Sequence, residues 1–144
     1  ANDKEQLKPM IETIEEQAGH KPGEVLADSG YCSEDNLNYL ARRHIDGYVA
    51  TERQKHGHER PACKRGPLPK GATAVERMKR KLQTQVGRKI YAMRKAIVEP
   101  VFGQIKQARG FRQFLLRGLE KVQMEWALVC LTHNILKLHR IIYC

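Results

Sequence analysis

Asp28 and Glu99 are the two acids whose setting could support chemistry. Asp28 closes the short apolar run "EVLAD" and is followed by Ser29-Gly30. Such a run reads as a buried strand stopping at a loop, and open α/β sheets place their sites at the carboxyl ends of strands. Glu99 lies in "YAMRKAIVEPVFGQIK" (residues 91–106) and is the only acid between Arg77 and Leu119. At about 100° per helical residue, Lys95 falls roughly 40° and Lys106 roughly 20° from Glu99; Tyr91 is roughly 80° away and Arg94 roughly 140°. Tyr91, Lys95, Glu99 and Lys106 therefore share one broad face. Carboxylates select hard ions such as Mg²⁺ or Mn²⁺, which gather phosphodiester oxygens and an attacking water. Each acid also has a plainer role: Asp28 can cap the turn after it, and Glu99 can pair with Lys95 for about 0.3–0.5 kcal/mol.

Pro100 follows Glu99 directly. A proline there removes the N–H that would bond the Ala96 carbonyl, at about 3 kcal/mol in a helix interior. A kink, or a helix restarting with Pro100 in its first turn, is expected, and either would aim Glu99.

These residues need elements to hold them. "DKEQLKPMIETIEEQAG" spaces Leu7, Ile11 and Ile14 as a helix, ended by Gly19. Asp3 in its polar opening reads as an N-cap. After the strand with Asp28, Ser33-Glu34-Asp35 starts a helix with Leu37, Leu40 and Ala41 on one face, and "DGYVAT" reads as a second short strand. A strand–helix–strand link of this length implies parallel pairing. Two helices come next, "AVERMKRKLQT" and "RKIYAMRKAIVEPVFGQIKQ", then a Gly-bounded connector with Phe111, Phe114, Leu115 and Leu116 to bury. A long last helix has Val122, Trp126, Val129, Cys130, His133 and Leu136 as its apolar stripe, expected as core or interface. The expected division is an α/β part at 1–51, a basic flexible loop at 52–73 and a helical part at 74–144, all one incomplete domain.

Charge narrows the partner. The chain carries +10 in all, yet residues 53–112 hold 17 Lys/Arg against 3 acids, so the remainder is slightly acidic. A basic block of this kind is the footprint of a polyanion, most often nucleic acid. Cys32, Cys63, Cys130 and Cys144 show no paired spacing, which points to a reduced chain. His56, His58 and Cys63 lack the second pair a zinc site needs. Charged and His residues break the final apolar run, so it does not read as a membrane span.

"VLADSGY", "YAMRKAIVEPVFGQIK", "RGFRQFLLRG" and "THNILKL", in that order, resemble insertion-sequence DDE transposases of the YREK-signature type, over essentially the whole chain. The resemblance implies the α/β, RNase H-like catalytic fold: its later half, with two short parallel strands and helices followed by a long C-terminal helix. It implies Mg²⁺-dependent (or Mn²⁺-dependent) cleavage of transposon ends and joining to target DNA. Asp28 falls on the middle acid of the triad and Glu99 on the last, both catalytic and metal-binding. Tyr91, Arg94 and Lys106 fall on the signature, and Lys95, Arg109 and Arg112 join them as expected DNA contacts. Six residues separate Glu99 from Lys106, as the signature requires, but four separate Arg94 from Glu99 where it has three; Lys95 has the expected spacing. No strand carrying a first acid precedes Asp28, so a C-terminal portion with little strand transfer of its own is expected. The resemblance further implies a bacterial, cytoplasmic, nucleoid-associated protein and a homodimer at full length. The alternatives are a non-catalytic nucleic-acid-binding fragment using block 53–112, and an oligomerisation domain built on the final helix, which would leave the basic block unexplained.

Overall fold

The computed structural model describes residues 3–52 and 66–143. Most of the expected basic loop, with His56, His58 and Cys63, lies outside the described residues. The chain divides into two compact units, Ala1–Arg94 and Lys95–Cys144, and the division falls within one helix.

The first unit is α/β. Helix α1 spans Asp3–Ala18, strand β1 Glu24–Ala27, helix α2 Glu34–Arg42 and strand β2 Asp46–Val49. The strands pair in parallel, with Glu24 opposite Asp46 and Ala27 opposite Val49. Helix α3 covers Ala74–Gln83, and α4, Gln85–Gly103, begins in this unit. The apolar spacing read from the sequence builds one core: Leu7 and Ile11 of α1, Leu37 and Leu40 of α2, Ala27 and Val49 of the strands, Ile45 and Ala74. Ile14, the third expected member from α1, stays 42% exposed. Gly19 stops α1 at φ 72°, a left-handed geometry that suits glycine at a helix end.

Local chemistry sets the helix starts. Ser33 Oγ accepts from Asn36 N–H at 3.2 Å. Thr73 and Glu76 form a reciprocal capping box on α3. Glu34 of α2 adds a second hold on that end: its carboxylate accepts from the Ala74 and Val75 amides at 2.9 and 3.0 Å. Those two bonds, the Val75 one foremost, hold the Glu34 carboxyl below its ordinary range. At the other end of α3, Lys81 pairs with Asp46, donates to the Gly47 carbonyl at 2.8 Å and lies 3.8 Å from the centre of the Tyr48 ring. The Lys81 contact lowers the Asp46 pKa, while burial pushes the Tyr48 hydroxyl up. Helix α3 is thus tied to α2 at one end and to β2 at the other.

The second unit is helical. Its part of α4 runs on to Gly103, a wide π-helical turn covers Gln104–Ala108, and α5 spans Leu119–Tyr143. Ile105 and Val129 are its buried apolar residues among those described. Phe102 stacks on Trp126 at 6.0 Å, and Phe114 meets Trp126 edge-on at 6.2 Å. Two expectations fail here. Leu115 is 78% exposed, because the connector is held by its backbone instead: Glu125 accepts from the Leu115 and Leu116 amides at 2.9–3.1 Å. Leu136, expected in the buried stripe of α5, is 50% exposed, so the stripe frays past His133.

Candidate active site

Asp28 stands one residue beyond β1, in extended conformation, and caps a 3₁₀ turn over Ser29–Tyr31. Its Oδ1 accepts from the Gly30 amide at 2.9 Å. The plainer role is therefore filled, but with one oxygen; the residue itself is exposed. Gly30 sits close to two side chains. A Cβ there would sit 3.1 Å from Asp28 Oδ1 and 2.9 Å from Asp3 Oδ2. Two carboxylates thus converge on one glycine.

Sequence reading missed the second of them. Asp3 stands in the first turn of α1, and its helix-opening context gave no sign of a neighbour 25 residues on. It also missed Asn36, the residue that holds this corner together. Asn36 is 3% exposed, and its Nδ2 donates to the Lys4 carbonyl at 2.8 Å and to the Tyr31 carbonyl at 2.9 Å. One buried amide therefore locks the start of α1, the turn after Asp28 and the start of α2. Nothing in the local pattern "EDNLNYL" distinguishes it from a surface asparagine.

A divalent ion is the group to test against these donors. Asp28 and Asp3 offer hard carboxylate oxygens, and Mg²⁺ needs only one or two protein carboxylates when substrate phosphates and water complete its shell. The donor chemistry fits. No cluster of three or more His, Cys, Asp or Glu side chains is placed to hold a metal among the described residues.

The cations and Glu99 sit on α4 and on the segment after it. In the first unit, the Arg94 guanidinium lies over the Tyr91 ring at 5.6 Å. Arg94 is half-buried, and its buried Nε–H meets no acceptor among the described residues. In the second unit, Lys95 and Glu99 are both exposed and form no ion pair with each other. The surface-pair role for Glu99 is not used. The helix does not restart at Pro100: α4 continues through it for three more residues. The irregularity comes later, at the π-helical turn, where Arg109 N–H bonds the Gln104 carbonyl at 3.0 Å. That wider turn breaks the regular angular count carried from Glu99 to Lys106. It buries Ile105 and leaves Lys106 exposed, with its ammonium 5.6 Å from the Phe102 ring centre.

Arg109 and Arg112 differ in what they have left to offer. Arg109 donates to the Val129 carbonyl at 3.2 Å and to Thr132 Oγ1 at 2.5 Å, pinning the π-helical turn to α5. Arg112 makes one long bond, 3.3 Å, to Gln107. With Lys106 it borders a hollow of about 480 Å³ walled by Phe102, Phe111, Phe114 and Trp126.

Residues 60–139, more than half of the chain, match the family described as Transposase DDE domain. The chain belongs to the transposase DDE domain family. The matched stretch takes in Tyr91, Arg94, Lys95, Glu99, Lys106, Arg109 and Arg112, and it begins after Asp28. Neither the curated proteins nor the solved structures yield a match to this transposase domain. No helix among the described residues is long and apolar enough to cross a membrane.

Proposed function

We propose that the chain works in DNA transposition as the metal-binding and DNA-gripping part of a YREK-type insertion-sequence transposase. Asp28 and Glu99 are the metal carboxylates, and Mg²⁺ (or Mn²⁺) is the ion. The observation that carries this reading is Asp28 itself: an exposed carboxylate just past the end of a parallel strand, with one oxygen bonded to the Gly30 amide and no bond to the other among the described residues. When bound, the ion would polarise a phosphodiester and lower the pKa of a water. The chain's own residues orient and hold. Gly30 fixes the rotamer of Asp28, and Asn36 fixes the loop. The Arg94 guanidinium lies over the Tyr91 ring, and its buried Nε–H, without a partner among the described residues, favours an anionic oxygen. Lys95, Lys106 and Arg112 supply exposed positive charge for DNA phosphates without reading bases. Arg109, whose guanidinium already serves α5, is the weakest of the proposed DNA contacts.

The test is a Mn²⁺ titration of the chain, read by the paramagnetic broadening of amide signals near Asp28 and near Glu99. Broadening at both places, lost in Asp28→Asn and in Glu99→Gln, is the expected result. An unchanged response in both variants would instead favour a module that only grips phosphates through the basic block. With so few protein carboxylates, affinity for Mg²⁺ is expected to be weak and to strengthen once DNA supplies phosphate oxygens.

A further inference from the structure

The π-helical turn over Gln104–Ala108 interrupts an otherwise regular helix. Such turns bond i to i+5, are rare and collect at functional sites. This one closes with the Arg109 N–H on the Gln104 carbonyl at 3.0 Å. The Phe111 amide then reaches the Ile105 carbonyl at 3.1 Å, past Gly110 at φ 69°. The wide ring holds one residue more than an α-turn, so side chains in it fall behind the regular count of about 100° each. Ile105 turns inward, at 2% exposure, and Lys106 outward, with its ammonium 5.6 Å from the Phe102 ring centre. Phe102 is itself stacked on Trp126. No salt bridge holds Lys106 among the described residues. Its direction is therefore set by the turn and by the ring beneath it.

We propose that Arg109 is a positioning residue: its guanidinium holds the wide turn against α5 and thereby aims Lys106 at a DNA phosphate. The inference rests on the reading of Lys106 as a phosphate contact, and it gives Arg109 a role other than touching DNA. Two observations carry it. The guanidinium donates through both terminal nitrogens to α5, one to the Val129 carbonyl at 3.2 Å and the other to Thr132 Oγ1. Those acceptors lie one helical turn apart, and Thr132 Oγ1 is itself placed by bonds to the Leu128 and Val129 carbonyls, at 3.0 Å each. Val129 is buried, so the anchor belongs to the interior of the unit. The second observation is where Arg109 stands. It follows the turn directly, and its own N–H closes the i to i+5 ring. Backbone and side chain of one residue thus fix both the closure of the turn and its attachment to α5. A lysine would bring the same charge but no planar fork to span two acceptors. All of these residues belong to the second unit.

Two variants test this. Thr132→Val removes the hydroxyl acceptor and stays β-branched, and Arg109→Lys keeps the charge but loses the fork. Each is measured alone and combined with Lys106→Ala, by binding of the whole chain to a mixed-sequence DNA duplex over a salt series. In the unaltered chain, Lys106→Ala should lower the slope of log K against log salt by about one. In either altered background that loss should shrink well below one, because Lys106 is no longer aimed. Thr132→Ser keeps the hydroxyl and should behave as the unaltered chain. Amide exchange reads the turn without DNA. The Arg109 N–H should exchange roughly fivefold faster in Thr132→Val, as loss of one hydrogen bond allows, and at an unchanged rate in Lys106→Ala. A full-size Lys106→Ala effect in both backgrounds, or an unchanged Arg109 exchange rate in Thr132→Val, would overturn the positioning role. A Lys106→Ala variant that leaves the slope of the unaltered chain as it was would overturn the phosphate reading itself, and the proposal with it.

Discussion

Asn36 shows how much one side chain can decide. The turn that aims Asp28 hangs on its two bonds to the Lys4 and Tyr31 carbonyls. Asn36→Ala leaves those two acceptors without their donor in a part-buried corner, a loss expected to cost about 1–3 kcal/mol. The urea midpoint should fall accordingly. The exchange rate of the Gly30 amide, the donor to Asp28, should rise more than that of amides in α3. A uniform rise would mean that Asn36 supports only global stability. The sequence made Asp28 legible because a strand-then-acid-then-Ser-Gly pattern is local. Asn36 and Asp3 were not legible, because their partners lie 32 and about 25 residues away.

Among the elements, the join between α3 and α4 leaves no room for a side chain at Gly87. Thr84 Oγ1 donates to the Lys81 carbonyl at 2.7 Å and accepts from the Gly87 amide at 2.9 Å. A Cβ on Gly87 would stand 2.1 Å from the Lys81 carbonyl oxygen, a backbone atom that cannot swing aside. Gly87→Ala is therefore expected to cost at least the 1–3 kcal/mol or so typical of overpacking, read as a lower melting temperature, and to loosen the entry into α4. The start of α3 carries a pH dependence. Glu34 has its folded pKa lowered by the Val75 and Ala74 amides. Its contribution is therefore present above the unfolded value of about 4.3 and fades as pH falls below it. Hydrogen-exchange protection of the Ala74 and Val75 amides should drop below about pH 4, and Glu34→Gln should flatten that profile.

Pro100 rules out one of two expected outcomes at this scale. The helix does not restart there, because α4 passes through it and the ladder widens at Gln104–Ala108. Intrinsic cost is a local quantity. Whether a helix breaks depends on what its flanks are packed against, and Ile105, buried at 2% exposure, anchors the segment beyond.

For the molecule as a whole, charge is the dominant fact. With a formal net charge of +10, retention on DNA should fall steeply with salt. The slope of log K against log salt should be about −0.9 for each phosphate neutralised. Lys95→Ala and Lys106→Ala should each reduce that slope by about one, with little change in sequence preference, as phosphate contacts do. Arg109→Ala should act differently. It removes the bonds to Val129 and Thr132, so its larger effect should be on the melting temperature.

The sequence by itself determined the α/β order of elements, the parallel strand pair, the Ser33-capped start of α2 and the long last helix. Each comes from periodicity, caps and turn residues within a few positions of one another. Spacing alone also singled out Asp28 as standing at a strand end. Only the tertiary structure decided what those residues meet: that Asp3 faces Asp28 across Gly30, that Arg109 is committed to α5, and that Arg94 keeps a buried donor with no partner among the described residues. It also decided how far the apolar stripe on α5 is covered, from Val122 to His133 but not at Leu136. The stripe read from the sequence, Val122 to His133, is the one that is covered. The cover comes from the aromatic packing of Phe102 and Phe114 on Trp126, contacts between residues that lie far apart along the chain.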